Sequence, residues 1–113
     1  MNYKIDATQR FKKELKALAK KYKKISKDLL KLKKEILKNP TLGTPLGNDC
    51  YKIRIPNSSI PTGKRGGFRI ITLAKIEKEK IILLTIYSKT QKETITDEEL
   101  KEILEGIKWK QNQ

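Results

Sequence analysis

The sequence has no histidine, a single cysteine and no long apolar run. One cysteine excludes an internal disulfide, and without histidine a zinc site loses its usual nitrogen ligands. A membrane-spanning helix needs about 20 mostly apolar residues in succession, and the N-terminus lacks the apolar core of a signal peptide. We therefore expect a cytoplasmic protein that uses neither a metal ion nor another cofactor.

The sequence is rich in positively charged residues. The chain of 113 residues has 27 Lys and Arg against 13 Asp and Glu, a formal net charge of +14. Self-repulsion on this scale destabilises a compact fold unless an anionic partner binds. The charge alone allows nucleic acid, an acidic protein or an anionic membrane surface as that partner. A chain this short buries only about two thirds of its unfolded surface, so we expect one domain, residues 1–113.

The charge is unevenly distributed along the chain. Residues 1–38 hold 14 Lys and Arg against 4 Asp and Glu, and residues 39–92 hold 10 against 3. Residues 93–113 reverse the sign, with 3 against 6. The acidic C-terminal segment could therefore fold back over basic surface.

Hydrophobic periodicity predicts a strand, two helices, three strands and a final helix. Thr8 is a candidate N-cap for the first helix and Ser26 for the second, which Pro40 ends because proline disfavours helical geometry in the residue before it. Thr96 and Glu99 form a capping box for the last helix. The segment TLGTPLGND has the composition of a connector. The predicted strands are residues 2–7, 50–55, 67–76 and 81–88. The pattern indicates an α+β fold with helices packed on a mostly antiparallel sheet.

Five cations lie on and between two of these strands. Strand alternation places Lys52 and Arg54 on one face, opposite the apolar residues between them. Arg69 on the next strand can join them if the register allows it. The connecting loop adds Lys64 and Arg65 between glycines, which let backbone amides turn toward an anion. The cluster indicates an anion-binding site, and the simpler alternative is a solvated face of a lysine-rich protein.

Four segments, taken in order, carry a family resemblance. They are NYKIDATQRFKKELKAL, LGNDCYKIRI, GKRGGFRIIT and IILLTIYSK, and the match spans residues 3–105. The sequence resembles the RelE/ParE superfamily of bacterial toxin–antitoxin toxins, most closely its RelE and HigB branches. The resemblance implies a compact sheet with two N-terminal helices on one face and a C-terminal helix. It also implies an mRNA interferase, a ribosome-dependent endoribonuclease that cuts mRNA in the A site beside 16S rRNA, together with a cognate antitoxin and no membrane partner.

The chemistry of RNA cleavage suits these residue types. Cutting RNA without a metal requires a base for the 2′-OH, charge stabilisation at the phosphate and an acid for the leaving oxygen. Lys52 is the candidate for base or proton shuttle, because neighbouring cations disfavour the charged form of a lysine. Arg54 and Arg69 are the candidates that stabilise the phosphate. Tyr87 could stack on a base and Lys89 could contact the RNA backbone.

The resemblance assigns the same three catalytic positions and adds the loop cations. Lys64 and Arg65 match the loop of HigB more closely than that of RelE. Two positions depart from the RelE pattern: Thr96 stands where that branch has a tyrosine with an acid or base role, and Thr90 lies near the position of an active arginine. Threonine supplies neither role at neutral pH.

Two other functions are compatible with the sequence. One is that of the ParE branch, a non-enzymatic gyrase inhibitor on the same fold, although that branch generally lacks the basic residues on the strands. The other is a basic RNA-binding or ribosome-binding module without catalysis.

Overall fold

The computed structural model describes residues 3–61, 67–92 and 94–111. These residues form three helices and one five-stranded mixed sheet, which confirms the predicted α+β class. In chain order the elements are β1 (Lys4–Ala7), α1 (Gln9–Lys21), α2 (Ile25–Lys38), β2 (Thr44–Gly47), β3 (Cys50–Ile55), β4 (Phe68–Lys75), β5 (Lys80–Ser88) and α3 (Asp97–Gln111). A single 3₁₀ turn, Ile76–Lys78, links β4 to β5.

The strands are ordered β1-β5-β4-β3-β2 across the sheet. β1 runs parallel to β5, and the other neighbouring pairs are antiparallel. The interior position of β5 agrees with its continuous apolar sequence. No helix in the described part of the chain is both long and apolar enough to cross a membrane.

The segment predicted as a connector contains a strand, so that expectation was wrong. Thr44–Gly47 forms β2 at the sheet edge and pairs with β3, with a register shift between Pro45 and Gly47. An edge strand tolerates proline because its N–H need not join a ladder. Asn48 and Asp49 then turn the chain with φ of 53° and 63°, as in the tight turns that join hairpin strands.

Thr8 caps the first helix, as predicted. Its hydroxyl oxygen accepts a hydrogen bond from the Phe11 N–H (3.0 Å) and its O–H donates to the carbonyl of Leu84 (2.7 Å). The same side chain therefore starts α1 and attaches it to β5. Glu14, further along α1, accepts from the Thr85 hydroxyl (2.6 Å) and the Ile86 N–H (3.2 Å), beside the bulge where β4 and β5 shift register.

Ser26 does not cap the second helix. α2 begins at Ile25, and the cap position, Lys24, has no side-chain hydrogen bond of the capping kind. The Lys24 N–H donates instead to the Ser59 hydroxyl (3.0 Å), and the Asp28 carboxylate accepts from the Ser58 N–H (3.0 Å). The start of α2 is thus stabilised by a distant loop rather than by its own first residues. The end is as predicted, at Asn39 before Pro40.

The sheet has two buried faces, covered by different helices. The first face packs against α1 and α2, and its core combines Phe11, Leu18, Tyr22, Ile25, Leu29, Leu32, Ile36, Ile53, Ile55, Phe68, Ile70, Ile81, Leu83 and Ile86. The second face packs against α3, and its smaller core combines Cys50, Ile71, Leu73, Ile82, Leu84, Tyr87, Ile95, Leu100 and Ile103. The N-terminal helices therefore share one face, as expected.

The capping box at the start of α3 is present. The Glu99 N–H donates to the Thr96 hydroxyl oxygen (3.1 Å), and the Thr96 N–H donates to Glu99 Oε1 (3.3 Å). α3 therefore begins at a position fixed by its own sequence.

Candidate active site

The sheet register joins two of the predicted cations in one row. Arg54 on β3 lies directly opposite Arg69 on β4, and Arg69 lies opposite Tyr87 on β5. Residues that are directly opposite in an antiparallel pair share a face, with side chains about 5 Å apart. Arg54 and Arg69 are therefore neighbours on the second face of the sheet.

Exposure increases along β3 on this face. Cys50 is buried, Lys52 is half-buried and Arg54 is exposed. The gradient follows α3, whose apolar residues pack at the Cys50 end of the face. Lys52 and Arg54 are consequently accessible to a phosphate from solvent.

Arg69 is the most buried of the three, with 5% of its surface exposed. Its Nη1 lies 3.5 Å from the Phe68 carbonyl oxygen. Burial, and then the charge of Arg54, lower the pKa of the Arg69 guanidinium, and Tyr87 acts in the opposite direction. Arginine nevertheless keeps its proton in proteins. The planar donors of a guanidinium match the geometry of a carboxylate or a phosphate.

Lys52 shares the face of the arginines but is held by a different part of the chain. Its Nζ donates to the Thr94 hydroxyl oxygen at 3.5 Å. The chain just before α3 therefore borders the cation cluster. A lysine ammonium has three donors and a flexible stem, so it can exchange this contact for a phosphate or a ribose hydroxyl.

Tyr87 does not lie where a base could stack. Its side chain is 2% exposed within the second core, and its hydroxyl accepts from the Ile95 N–H (3.1 Å). The Lys92 ammonium lies 5.3 Å from the ring centroid. The position argues against the predicted stacking role and supports packing beside Arg69.

Of the other predicted RNA contacts, the structure describes Lys89, which directly follows β5. Lys89 is exposed, and its N–H donates to the Gly67 carbonyl (3.2 Å). A Cβ added at Gly67 would overlap the carbonyl oxygen of Ile55, so only glycine fits where this loop rejoins the sheet. Lys64 and Arg65 lie outside the described residues.

The two threonines at the positions that differ from RelE have structural contacts. Thr96 caps α3, and the Thr90 hydroxyl shares a hydrogen bond with the Ser88 hydroxyl (2.9 Å). Sequence reasoning also missed the pair of Lys92 with Glu99, whose Nζ and Oε2 are 2.6 Å apart. Seven residues separate them across a loop and a helix start, so no helical spacing marks the pair.

Other reactive groups are absent or inert in the described ranges. Burial, and then the Asp49 charge, raise the pKa of the Cys50 thiol to about 11, against the opposing charge of Lys75. Cys50 is therefore protonated at neutral pH and is a poor nucleophile. Within residues 3–61, 67–92 and 94–111, no three His, Cys, Asp or Glu side chains cluster in a way that could hold a metal ion.

The chain thus combines a small α+β fold, a net charge of +14 and a group of cations on the second face of its sheet. Residues 3–111 match the family described as the RelE toxin of the RelE/RelB toxin–antitoxin system. The chain belongs to this RelE toxin family. A comparison with curated proteins gave no match.

Solved structures show the same fold. A free double arginine-to-alanine mutant of Escherichia coli toxin RelE is 23% identical, with a TM-score of 0.60, covering 95% of this chain and 99% of that chain. The isolated E. coli RelE toxin is 22% identical, with a TM-score of 0.59 and coverage of 94% and 99%. The intact E. coli RelBE toxin–antitoxin complex matches at 25% identity and a TM-score of 0.57, covering 75% of this chain and 94% of that chain.

Proposed function

We propose that this protein is a ribosome-dependent mRNA endoribonuclease that acts in the cytoplasm and inhibits translation by cutting mRNA in the A site. The observation that carries the proposal is the cross-strand pair of Arg54 and Arg69 on the second face of the sheet, with Lys52 on the same face. A guanidinium group presents paired N–H donors whose geometry fits two oxygens of one phosphate. A scissile phosphate is an anion that these donors fit.

The reaction divides among the three cations as follows. Lys52 takes the proton of the ribose 2′-OH, directly or by shuttling it, and the 2′-oxygen attacks the adjacent phosphorus. Arg54 and Arg69 stabilise the extra negative charge on the phosphorane. The P–O5′ bond then breaks, and a protonated group returns the proton to the leaving oxygen. The products are a 2′,3′-cyclic phosphate and a free 5′-hydroxyl, and the chemistry uses only side-chain donors and bases.

The basic helices suit a ribosomal substrate. α1 and α2 carry exposed lysines at Lys12, Lys13, Lys20, Lys27, Lys31, Lys34 and Lys38. Neutralising RNA phosphates releases counterions, so affinity for 70S ribosomes should fall steeply as salt increases. An affinity that stays constant between low and physiological salt would contradict the electrostatic part of the proposal.

Mapping of mRNA ends on stalled ribosomes tests the activity. The wild-type protein should produce cuts within A-site codons, and Lys52→Arg should lower the cutting rate by about 10²–10⁴-fold, because guanidinium keeps the charge but does not release its proton. Lys75→Arg, a matched change on β4 where Lys75 pairs with Asp49, should cut normally. Full activity in Lys52→Arg would exclude Lys52 as base. Growth arrest without mRNA cuts would favour gyrase inhibition or a non-catalytic ribosome binder.

We further propose an acidic, amphipathic antitoxin as the protein partner. The E. coli toxin forms a RelBE complex, and α2 of this chain exposes Leu30 (57%) and Leu37 (46%). These residues lie about 10 Å apart on one side of the helix, close to Lys27 and Lys34. Carboxylates of the antitoxin would form ion pairs with the lysines, and its apolar side chains would cover the leucines.

Co-purification from the native operon tests the partner. At about 1 M salt, interactions between exposed charges are screened beyond roughly 3 Å. The complex should nevertheless persist, because apolar contacts keep its dissociation slow. Toxin recovered without its partner after this wash would contradict the apolar anchor. Loss of the partner in the double variant Leu30→Gln/Leu37→Gln, with retention in Ile76→Gln, would assign the anchor to α2.

A further inference from the structure

Glu99 connects three parts of the molecule through one carboxylate. Its Oε1 accepts from the N–H and the hydroxyl of Thr96, both at 3.3 Å. Its Oε2 accepts from Lys92 Nζ (2.6 Å) and from Arg10 Nη2 (3.2 Å) on α1. The first oxygen fixes the start of α3, and the second fixes the loop after β5 and the first helix of the opposite face.

The loop that Glu99 holds forms the border of the cation cluster. Lys92, bonded to Glu99, also places its ammonium 5.3 Å from the centre of the Tyr87 ring, and the Ile95 N–H donates to the Tyr87 hydroxyl. Tyr87 lies opposite Arg69 across the β4–β5 ladder. The Tyr87 ring, held at its face by Lys92 and at its hydroxyl by Ile95, therefore limits where the buried guanidinium of Arg69 can lie.

The same loop reaches the candidate base. Thr94, between Lys92 and the Thr96 cap, accepts from Lys52 Nζ. A shift of the chain at 94–96 would thus displace two neighbours at once, the ammonium of Lys52 and the ring beside Arg69. Near-attack geometry is sensitive to such shifts, since a misplacement of about 1 Å can cost about 10²-fold in rate.

We propose that Glu99 is a positioning residue for the cleavage reaction: it holds Lys92 and the 94–96 segment against Tyr87 and so keeps Arg69 and Lys52 in register with a phosphate. The inference rests on the proposed nuclease function. Glu99 itself does not touch the reacting atoms. Its low pKa, about 2, agrees with a carboxylate that stays ionised between its donors, the hydrogen bond from Lys92 being the largest cause.

Glu99→Gln separates positioning from helix capping. Glutamine still caps a helix in this motif, but its neutral amide removes the charge that Lys92 and Arg10 share. Glu98→Gln is the matched control, because it removes the same charge from an exposed position in the same turn. We expect Glu99→Gln to lower single-turnover cleavage at saturating ribosomes by about 10–100-fold, with ribosome affinity changed less than about twofold. Glu98→Gln should match the wild type in both.

A role in folding alone predicts a different result. Glu99→Gln would then lower the fraction folded but leave the rate per folded molecule unchanged, and that outcome would overturn the inference. The Lys92→Gln/Glu99→Gln double variant adds a second criterion. If the two side chains act through one contact, the double variant should cleave no more slowly than the slower single variant. Independent, multiplying losses would contradict a shared path through Lys92.

A readout that does not need cleavage keeps the two proposals distinguishable. Amide hydrogen exchange at Ile95 should accelerate in Glu99→Gln and stay protected in Glu98→Gln, and the Arg69 side-chain NMR resonances should move only in the former. If the wild-type protein binds ribosomes but never cuts mRNA, the proposed function fails while these signals still decide the positioning. Unchanged Ile95 exchange and unchanged Arg69 resonances in Glu99→Gln would refute the positioning role of Glu99.

Discussion

The two faces of the sheet differ in how completely helices cover them. The first face packs against two helices and combines apolar residues from α1, α2 and three strands into one core. The second face packs against α3 alone, and its apolar cluster leaves Lys52 half-buried and Arg54 exposed on β3. Arg69 on the neighbouring strand is buried. We therefore expect the first face, with its larger apolar core, to supply most of the folding free energy. The second face buries less apolar surface and presents charged side chains instead.

Phe68 and Arg69 are consecutive residues of β4 that lie on opposite faces of the sheet, so substitutions at these two positions compare the faces directly. Phe68 tests the first face. Phe68 is fully buried and packs edge-on against the Tyr22 ring, with centroids 5.4 Å apart. Phe68→Ala should lower the free energy of unfolding by about 3–5 kcal/mol, since it removes apolar contacts and leaves a cavity. Urea denaturation followed by circular dichroism measures the loss. Ile76→Ala, at an exposed isoleucine, should change it by less than about 0.5 kcal/mol; equal losses would contradict the assigned burial.

The next residue along β4 tests the second face. Arg69→Ala should reduce A-site cleavage by about 10²–10³-fold, which corresponds to about 3–4 kcal/mol in activation free energy, because one transition-state contact is lost. Ribosome binding should change little. Primer extension on stalled ribosomes measures the rate, and Lys75→Ala on the same strand is the control. If Arg69→Ala cleaves at the wild-type rate, Arg69 is a residue of the sheet without a part in the chemistry.

Removing the N-cap of α1 should lower the stability of the whole fold, whereas removing the N-cap of α3 should loosen mainly that helix. Thr8→Ala removes the cap of α1 and its bond to the Leu84 carbonyl, and should cost about 0.5–2 kcal/mol of global stability. Thr96→Ala removes the equivalent cap of α3 and should mainly increase hydrogen exchange within that helix. Thr8→Ser retains the hydroxyl and should restore stability. A global loss of the same size from Thr96→Ala would show that α3 folds with the first face as one unit.

Acid should loosen the second face before the first. The Glu99 pKa is lowered to about 2, below the ordinary value of about 4.3 for an unfolded chain. A lowered carboxylate pKa adds stability above the unfolded value, and that contribution is lost as pH falls from about 4.3 through about 2. The stability difference between wild type and Glu99→Gln should therefore be constant near neutrality, shrink through this range and be smallest below pH 2. Urea titrations at several pH values measure it, and a difference as large at the most acidic pH as at neutrality would rule out Glu99 ionisation as its source.

Local signals predicted several elements correctly. The strand at 50–55, the Thr8 cap and the Thr96–Glu99 capping box are present as expected. Each of these features depends on residues that are close together in the chain, so the local sequence is enough to predict it. The catalytic roles of Lys52, Arg54 and Arg69 remain predictions.

Features that depend on distant partners were missed. β2 forms because β3 offers an edge, although its own sequence is rich in proline and glycine. The Ser26 prediction failed because a loop some thirty residues away supplies the bonds at the start of α2. Tyr87 appeared available for stacking because its burial comes from Ile95 and α3, which follow it in the chain.

Sequence alone determined which side chains share a face of β3, because strand alternation is a property of the backbone with a period of two. It also determined the charge of the surface and the starts of α1 and α3. Only the tertiary structure decided that Arg69 lies between Arg54 and Tyr87, because register depends on hydrogen bonds between separate strands. It likewise decided how far α3 extends over the second face, because that depends on packing between α3 and a sheet assembled from all five strands.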